Sequence, residues 1–231
     1  MSAGKVHAGR RLSGWVAAVL MLVALYAIFF YAPLEQTMRE VQKIFYIHVG
    51  TAWNAFLAFF IVFLASLLYL RKREERWDDL AAVSAEIGVL FTTMVLLTGP
   101  IWAKSAWNTW WTWEPRLTTT LVLWFIYLAY LLVRAGVVEE TRRATIAAAF
   151  GIIGFADVPV VYLSVRWWRL SHPIIFGGGG GGLHPAMLVA LIISVFAFTA
   201  LYLYLLQMGL TVRQLERRVR HLKEGWRERY E

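Results

Sequence analysis

The chain has 231 residues, 59% of them hydrophobic and 16% charged, with a formal net charge of +8 and no cysteine. So much apolar material and so few charges exclude an ordinary water-soluble domain and place the chain among polytopic membrane proteins. The missing cysteine excludes disulfides, thiolate metal sites and the C-x-x-C-H sequence that carries covalently attached haem.

The apolar residues come in six blocks, each long enough to cross a bilayer at about 1.5 Å per residue and roughly 20 residues per crossing. They cover about 15–32, 48–70, 80–102, 117–135, 144–164 and 185–208. This predicts an all-α fold, a bundle of six transmembrane helices within residues 1–209. Lys5, Arg10 and Arg11 precede the first block. Arg10-Arg11 faintly resembles a twin-arginine export signal, but no small-residue cleavage site follows, so the first span is expected to stay as an anchor. Seventeen lysines and arginines fall in the two tails and the 71–79 and 134–143 connections, against six in the other three loops. Loops rich in Lys and Arg stay in the cytoplasm, so both termini are expected there and the 103–116 loop outside. The same bias accounts for the net charge through orientation and contact with anionic lipid rather than nucleic acid. Residues 210–231 read as a basic amphipathic helix at the inner surface, either solvated or bound to a partner.

Taken in order, His48 opens the second block in KIFYIHVGTAW, Glu86 lies within the third and Asp157 within the fifth, just ahead of Pro159. A charge at the bilayer centre costs about 2.5–3.5 kcal/mol on insertion scales, so both acids are expected to face the bundle interior. Between the third and fourth blocks comes WNTWWTWEPRLTTT, residues 107–120, with tryptophans at 107, 110, 111 and 113 and Trp102 just upstream. One tryptophan at a membrane surface is an ordinary interfacial anchor; four so close ask for another reason. Were the stretch helical, Trp107, Trp110 and Trp111 would share one face and form a flat apolar shelf. The loop before the sixth block carries Arg166, Arg169, His172 and six glycines at 177–182, which read as a flexible tether. His184 precedes Pro185, a pairing suited to a first helical turn, whereas His7 and His221 fall on the tails.

This topology gathers His48, His172 and His184 at the outer face, beside the tryptophans. A lone histidine there is commonly an amphipathic anchor. Two imidazoles from separate segments over an apolar floor, however, supply what a haem needs: axial nitrogens for the iron and a surface for the porphyrin. A zinc or copper site is the alternative, weakened by the lack of carboxylate or sulfur neighbours around His48 and His172. Arg116, Lys104, Arg166 and Arg169 are candidate partners for propionates, since Arg binds a carboxylate through two parallel hydrogen bonds. Glu114 is the competing partner for Arg116.

The segments LTGPIWAKSAWNTWWTWEPRLTT, YIHVGTAW and GFADVPVVYLSVRWWRLSH closely resemble the haem-handling proteins of cytochrome c maturation, in particular the haem exporter protein C (CcmC) family. The resemblance covers about residues 40–175 directly and the six-span layout loosely. It implies that haem b is held non-covalently and transiently by His48 and His172 as axial iron ligands, with Trp107, Trp110, Trp111, Trp113, Glu114 and Arg116 forming the binding loop. It implies delivery to a membrane-anchored haem chaperone (CcmE-like), in company with ABC transporter subunits (CcmA/CcmB-like) and a small single-span subunit (CcmD-like). The setting it implies is the cytoplasmic (inner) membrane of a prokaryote, with the haem site facing the periplasm, and the activity is transport rather than catalysis.

The departures from the family pattern are local. The motif usually runs Trp-Asp-Ala-Arg where this chain has Trp113-Glu114-Pro115-Arg116, an amide usually stands at the position of Asp157, and the glycine run is not a family feature. Larger relatives that attach haem to apocytochrome carry further histidine-bearing spans, for which 231 residues leave no room. Two other readings are weighed against this one. A b-type haem electron-transfer subunit would want histidines stacked within spans, and a proton-coupled transporter would rest on Glu86 and Asp157 and leave the tryptophans unexplained.

Overall fold

The computed structural model describes residues 3–168 and 183–230, and among these it shows seven α-helices, one π-helical turn and no strand. Helix α1 (Ala3–Tyr26) ends in the π turn Ala27–Tyr31, followed by α2 (Gln42–Lys72), α3 (Glu75–Trp107), α4 (Pro115–Gly136), α5 (Glu140–Phe155), α6 (Asp157–Trp168) and α7 (Pro185–Tyr230). Six stretches are long and apolar enough to cross a membrane: Gly9–Tyr31, Gln42–Lys72, Glu75–Trp107, Pro115–Gly136, Glu140–Ser164 and Pro185–Arg227. The protein is a six-span membrane bundle, as its hydropathy predicts, and most of the helices reach past the apolar blocks at one end or both. Their up-and-down order puts both termini at one end and the 32–41 and 108–114 connections at the other.

The fifth span is two helices. Pro159 has no N–H to give to the carbonyl four residues back, that of Phe155, and α5 stops there. After Ala156 the chain resumes as α6 at Asp157. Pro100 removes a bond from α3 in the same way, yet that helix continues to Trp107. Arg73, with φ 57°, makes the tight turn from α2 into α3. At the start of α5 the Glu139 carboxylate accepts the backbone N–H groups of Thr141 and Arg142 at 2.8 and 2.6 Å. Those donors hold its carboxyl below the usual carboxylate range.

The centre of the bundle is aromatic and tightly fitted. Phe59 of α2 stacks on Tyr127 of α4 with ring centroids 3.7 Å apart, and Gly88 lets α3 close on it, because a Cβ there would lie 2.5 Å from Phe59 Cε1. Some polar atoms inside this layer are paired across helices: Tyr127 donates to the Gly151 carbonyl at 3.2 Å, and Ser84 bonds the Ala58 carbonyl and the Tyr202 hydroxyl, both at 2.8 Å.

At the end that carries the termini, charges take over. Arg134 of α4 binds Asp78 of α3 through two hydrogen bonds of 2.6 and 2.8 Å, with side chains 9% and 14% exposed. Helix α7 runs for 46 residues, about 69 Å against a hydrocarbon layer of about 30 Å, so residues 210–230 continue the last span without a break. Arg213, Arg217 and Arg220, on one side of that extension, reach Glu86, Glu75 with Asp79, and Glu140. Glu86 therefore does not face the bundle interior as its position within an apolar block predicts. It is exposed and paired with Arg213, which hydropathy alone does not reveal.

Candidate functional site

The site lies at the opposite end, where α2, α3 and α4 meet the connection that joins α3 to α4. His48 sits in the second turn of α2, 8% exposed, with Gly99 of α3 facing it. A Cβ at position 99 would come within 3.3 Å of His48 Cε1, so the glycine makes room for the ring. His48 Nδ1 lies 2.9 Å from Thr98 Oγ1, and Trp102, one turn further along α3 and 3% exposed, packs against the imidazole at 6.2 Å between centroids.

Helix α3 ends where Asn108 adopts φ 57°, the left-handed conformation that closes a helix. Lys104 secures this end through the Asn108 Oδ1 at 2.7 Å. Residues 108–114 are irregular, and Pro115 begins α4 at the first helical position, where a missing N–H costs nothing. The stretch is not helical beyond Trp107, so the shared face of indoles that a helix would give does not form. Trp102 and Trp107 meet at 57° and Trp111 and Trp113 at 80°, with centroids 5.4 and 5.8 Å apart. The indoles form a set of tilted walls instead of a coplanar shelf.

These elements enclose a cavity of about 190 Å³. His48, Trp102, Trp107 and Trp111 line it together with Glu114 and Arg116, and apolar side chains such as Phe56, Leu96, Leu117 and Val161 complete the walls. Pockets that swallow an organic ligand whole usually measure about 300–1,000 Å³, so this one suits the edge of a larger flat molecule. The Trp111 indole and the Arg116 guanidinium on its wall show no hydrogen bond or ion pair to the described residues. The Trp111 indole N–H is buried without an acceptor, and Arg116 makes no ion pair with Glu114, the partner that competes for it on sequence grounds. An indole donor and a guanidinium beside a buried imidazole are an anion-and-metal-seeking set on a mostly apolar surface that also carries the Glu114 carboxylate.

A family model described as Heme exporter protein C matches residues 6–225. The chain belongs to the Heme exporter protein C family. Among relatives, it is 33% identical over 218 residues to "Heme exporter protein C" of Bradyrhizobium diazoefficiens, covering 92% of this chain and 82% of the relative. It is 32% identical over 190 residues to the "Putative cytochrome c biosynthesis ccmC-like mitochondrial protein" of Marchantia polymorpha, covering 80% and 81%. The "Heme exporter protein C" of Escherichia coli K12 is 29% identical over 195 residues, covering 82% and 78%.

In this family member the residues singled out from sequence separate into groups. His48, Trp107, Trp111, Glu114 and Arg116 come together on the cavity. Trp110 and Trp113 do not line it and are 59% and 75% exposed, so they suit contact with lipid or a partner. Lys104 is spent on the end of α3. Arg166 lies exposed on α6 over the Tyr162 ring. His184 caps α7, its Nδ1 accepting the Ala186 N–H at 3.2 Å. His172, Arg169 and the 177–182 glycines lie outside the described residues. Sequence reasoning passed over Thr98, Gly99 and Trp102 as site residues. The signal available for them was the Thr-Gly-Pro interruption of an apolar block just before Trp102.

Proposed function

We propose that this protein holds haem at the loop end of the bundle and hands it on during c-type cytochrome assembly. The observation that carries the reading is the convergence of a buried imidazole, tilted indole walls and an unpaired guanidinium on one apolar cavity. The residues suit the cargo: His48 is an axial nitrogen donor, Trp107 and Trp111 offer apolar surface to one edge of a porphyrin, and Arg116 with the Trp111 N–H fits a propionate. His172, as the family resemblance implies, is the second axial ligand. Weak enclosure fits a carrier, since a cargo held by one edge is released more easily than one that is engulfed.

Membership of the Heme exporter protein C family supports haem handling as transport, without bond chemistry of the protein's own. We extend this to delivery to a membrane-anchored chaperone of the CcmE type, from a complex with CcmA-, CcmB- and CcmD-like subunits in the inner membrane, with the site on the periplasmic side. The transporter reading is weakened because Glu86 is paired with Arg213 at the far end of the bundle. The electron-transfer reading is weakened because His48 is the one histidine on the cavity wall among the described residues.

The test is the visible spectrum of detergent-solubilised protein, supplied with haem, oxidised and then reduced with dithionite. Wild type should give sharp six-coordinate low-spin bands that degrade in His48→Ala and in His172→Ala. A wild-type protein that never retains haem, or two histidine variants with full haem content, would overturn the reading.

A further inference from the structure

The Thr-Gly-Pro segment of α3 places a hydroxyl against the imidazole, and this contact has a direction. Thr98 Oγ1 lies 2.7 Å from the carbonyl of Met94, one turn back in its own helix, and 3.4 Å from that of Val95. Helical threonines commonly give their hydroxyl hydrogen to the carbonyl four residues earlier. A hydroxyl has one hydrogen. With that hydrogen on Met94, the oxygen facing His48 Nδ1 at 2.9 Å is an acceptor, and Nδ1 is the protonated ring nitrogen.

We propose that Thr98 is a positioning residue for His48, fixing its neutral Nδ1–H tautomer so that Nε2 presents its lone pair to iron. The hydroxyl is aimed by its own helix before any cargo arrives, and Gly99 and Trp102 confine the ring on other sides. The role is the one that carboxylates and carbonyls play behind ligating histidines, where loss of the partner typically costs 10–100-fold in metal affinity. A hydroxyl is a weaker acceptor than a carboxylate and leaves the imidazole less electron-rich, which suits a site that must let its cargo go. The inference rests on the reading of His48 as an axial ligand.

Two measurements separate the inference from that reading. In haem-free protein labelled with ¹⁵N-histidine, the ring-nitrogen shifts of His48, assigned by their loss in His48→Ala, should show a proton on Nδ1 and a bare Nε2. In Thr98→Val the shifts should move toward a tautomer mixture, and in Thr98→Ser they should return. Haem titration of the same proteins should show about tenfold or greater weakening in Thr98→Val and near-wild-type binding in Thr98→Ser. A wild-type His48 protonated on Nε2 would overturn the inference. So would wild-type haem affinity in Thr98→Val when His48→Ala has lost it. If His48→Ala binds haem as wild type does, the axial assignment fails and the inference falls with it, whatever tautomer the shifts report.

Discussion

Gly99→Ala probes the site with a single methyl group. The new Cβ would lie 3.3 Å from His48 Cε1, a few tenths of an ångström inside ordinary contact. The free protein relieves the overlap by turning the ring out of the place set by its bond to Thr98 and its packing on Trp102. Overpacking of this kind costs about 1–3 kcal/mol, and so small an overlap belongs at the lower end, about 1 kcal/mol. If haem binding requires the ring in its present place, the cost appears in affinity as roughly a fivefold loss, since 1.4 kcal/mol is about tenfold. Stability should respond differently. Alanine is better than glycine in a helix interior by about 0.5–1 kcal/mol, while its Cβ meets the ring of Pro100, which disfavours helical backbone at the preceding residue. These effects nearly cancel, and the melting temperature should move by less than about 4 °C. The assay is haem titration beside thermal unfolding of the same detergent preparation. Wild-type affinity in Gly99→Ala, when His48→Ala has lost binding, would refute the picture of a confined ring.

Other substitutions should divide by location. Asp78→Ala strands Arg134 without its nearly buried partner and should cost about 3–5 kcal/mol, read as a lowered unfolding midpoint; Asp78→Ala with Arg134→Met should recover most of it. Glu86→Gln removes a partly exposed pair with Arg213 and should change stability by less than about 1 kcal/mol, with haem content unchanged; loss of haem would revive a role for this acid. Gly88→Ala drives a methyl group into Phe59, itself stacked on Tyr127, and should destabilise by about 1–3 kcal/mol while the spectrum of the protein that folds stays intact. Trp111→Ala should weaken haem binding more than Trp110→Ala, because Trp111 lines the cavity and Trp110 does not; equal losses would mean that the exposed tryptophans carry the cargo.

Much of this protein is legible from its residues in order. Crossing a bilayer depends on hydropathy summed over about 20 consecutive residues, so six apolar blocks predict six spans without knowledge of any contact. Hydropathy leaves local backbone chemistry unread: the block 144–164 reads as one span, whereas Pro159 ends α5 within it and Pro115 starts α4. The density of tryptophan and the placing of His48 mark the end of the bundle at which to look. What the residues in order do not determine is which side chains share a surface. A helix through 107–111 would put three tryptophans on one face, but the left-handed turn at Asn108 ends α3 and sends Trp111 to the cavity and Trp110 outward. Glu86 finds its cation 127 positions away and His48 finds its hydroxyl 50 positions away. Such pairings depend on the rotation and register of helices packed side by side, which are set by the fit of residues like Gly88 and Phe59 across the bundle. Hydropathy, a sum along the chain, carries no record of that fit, so the spans belong to the sequence alone and the site to the tertiary structure.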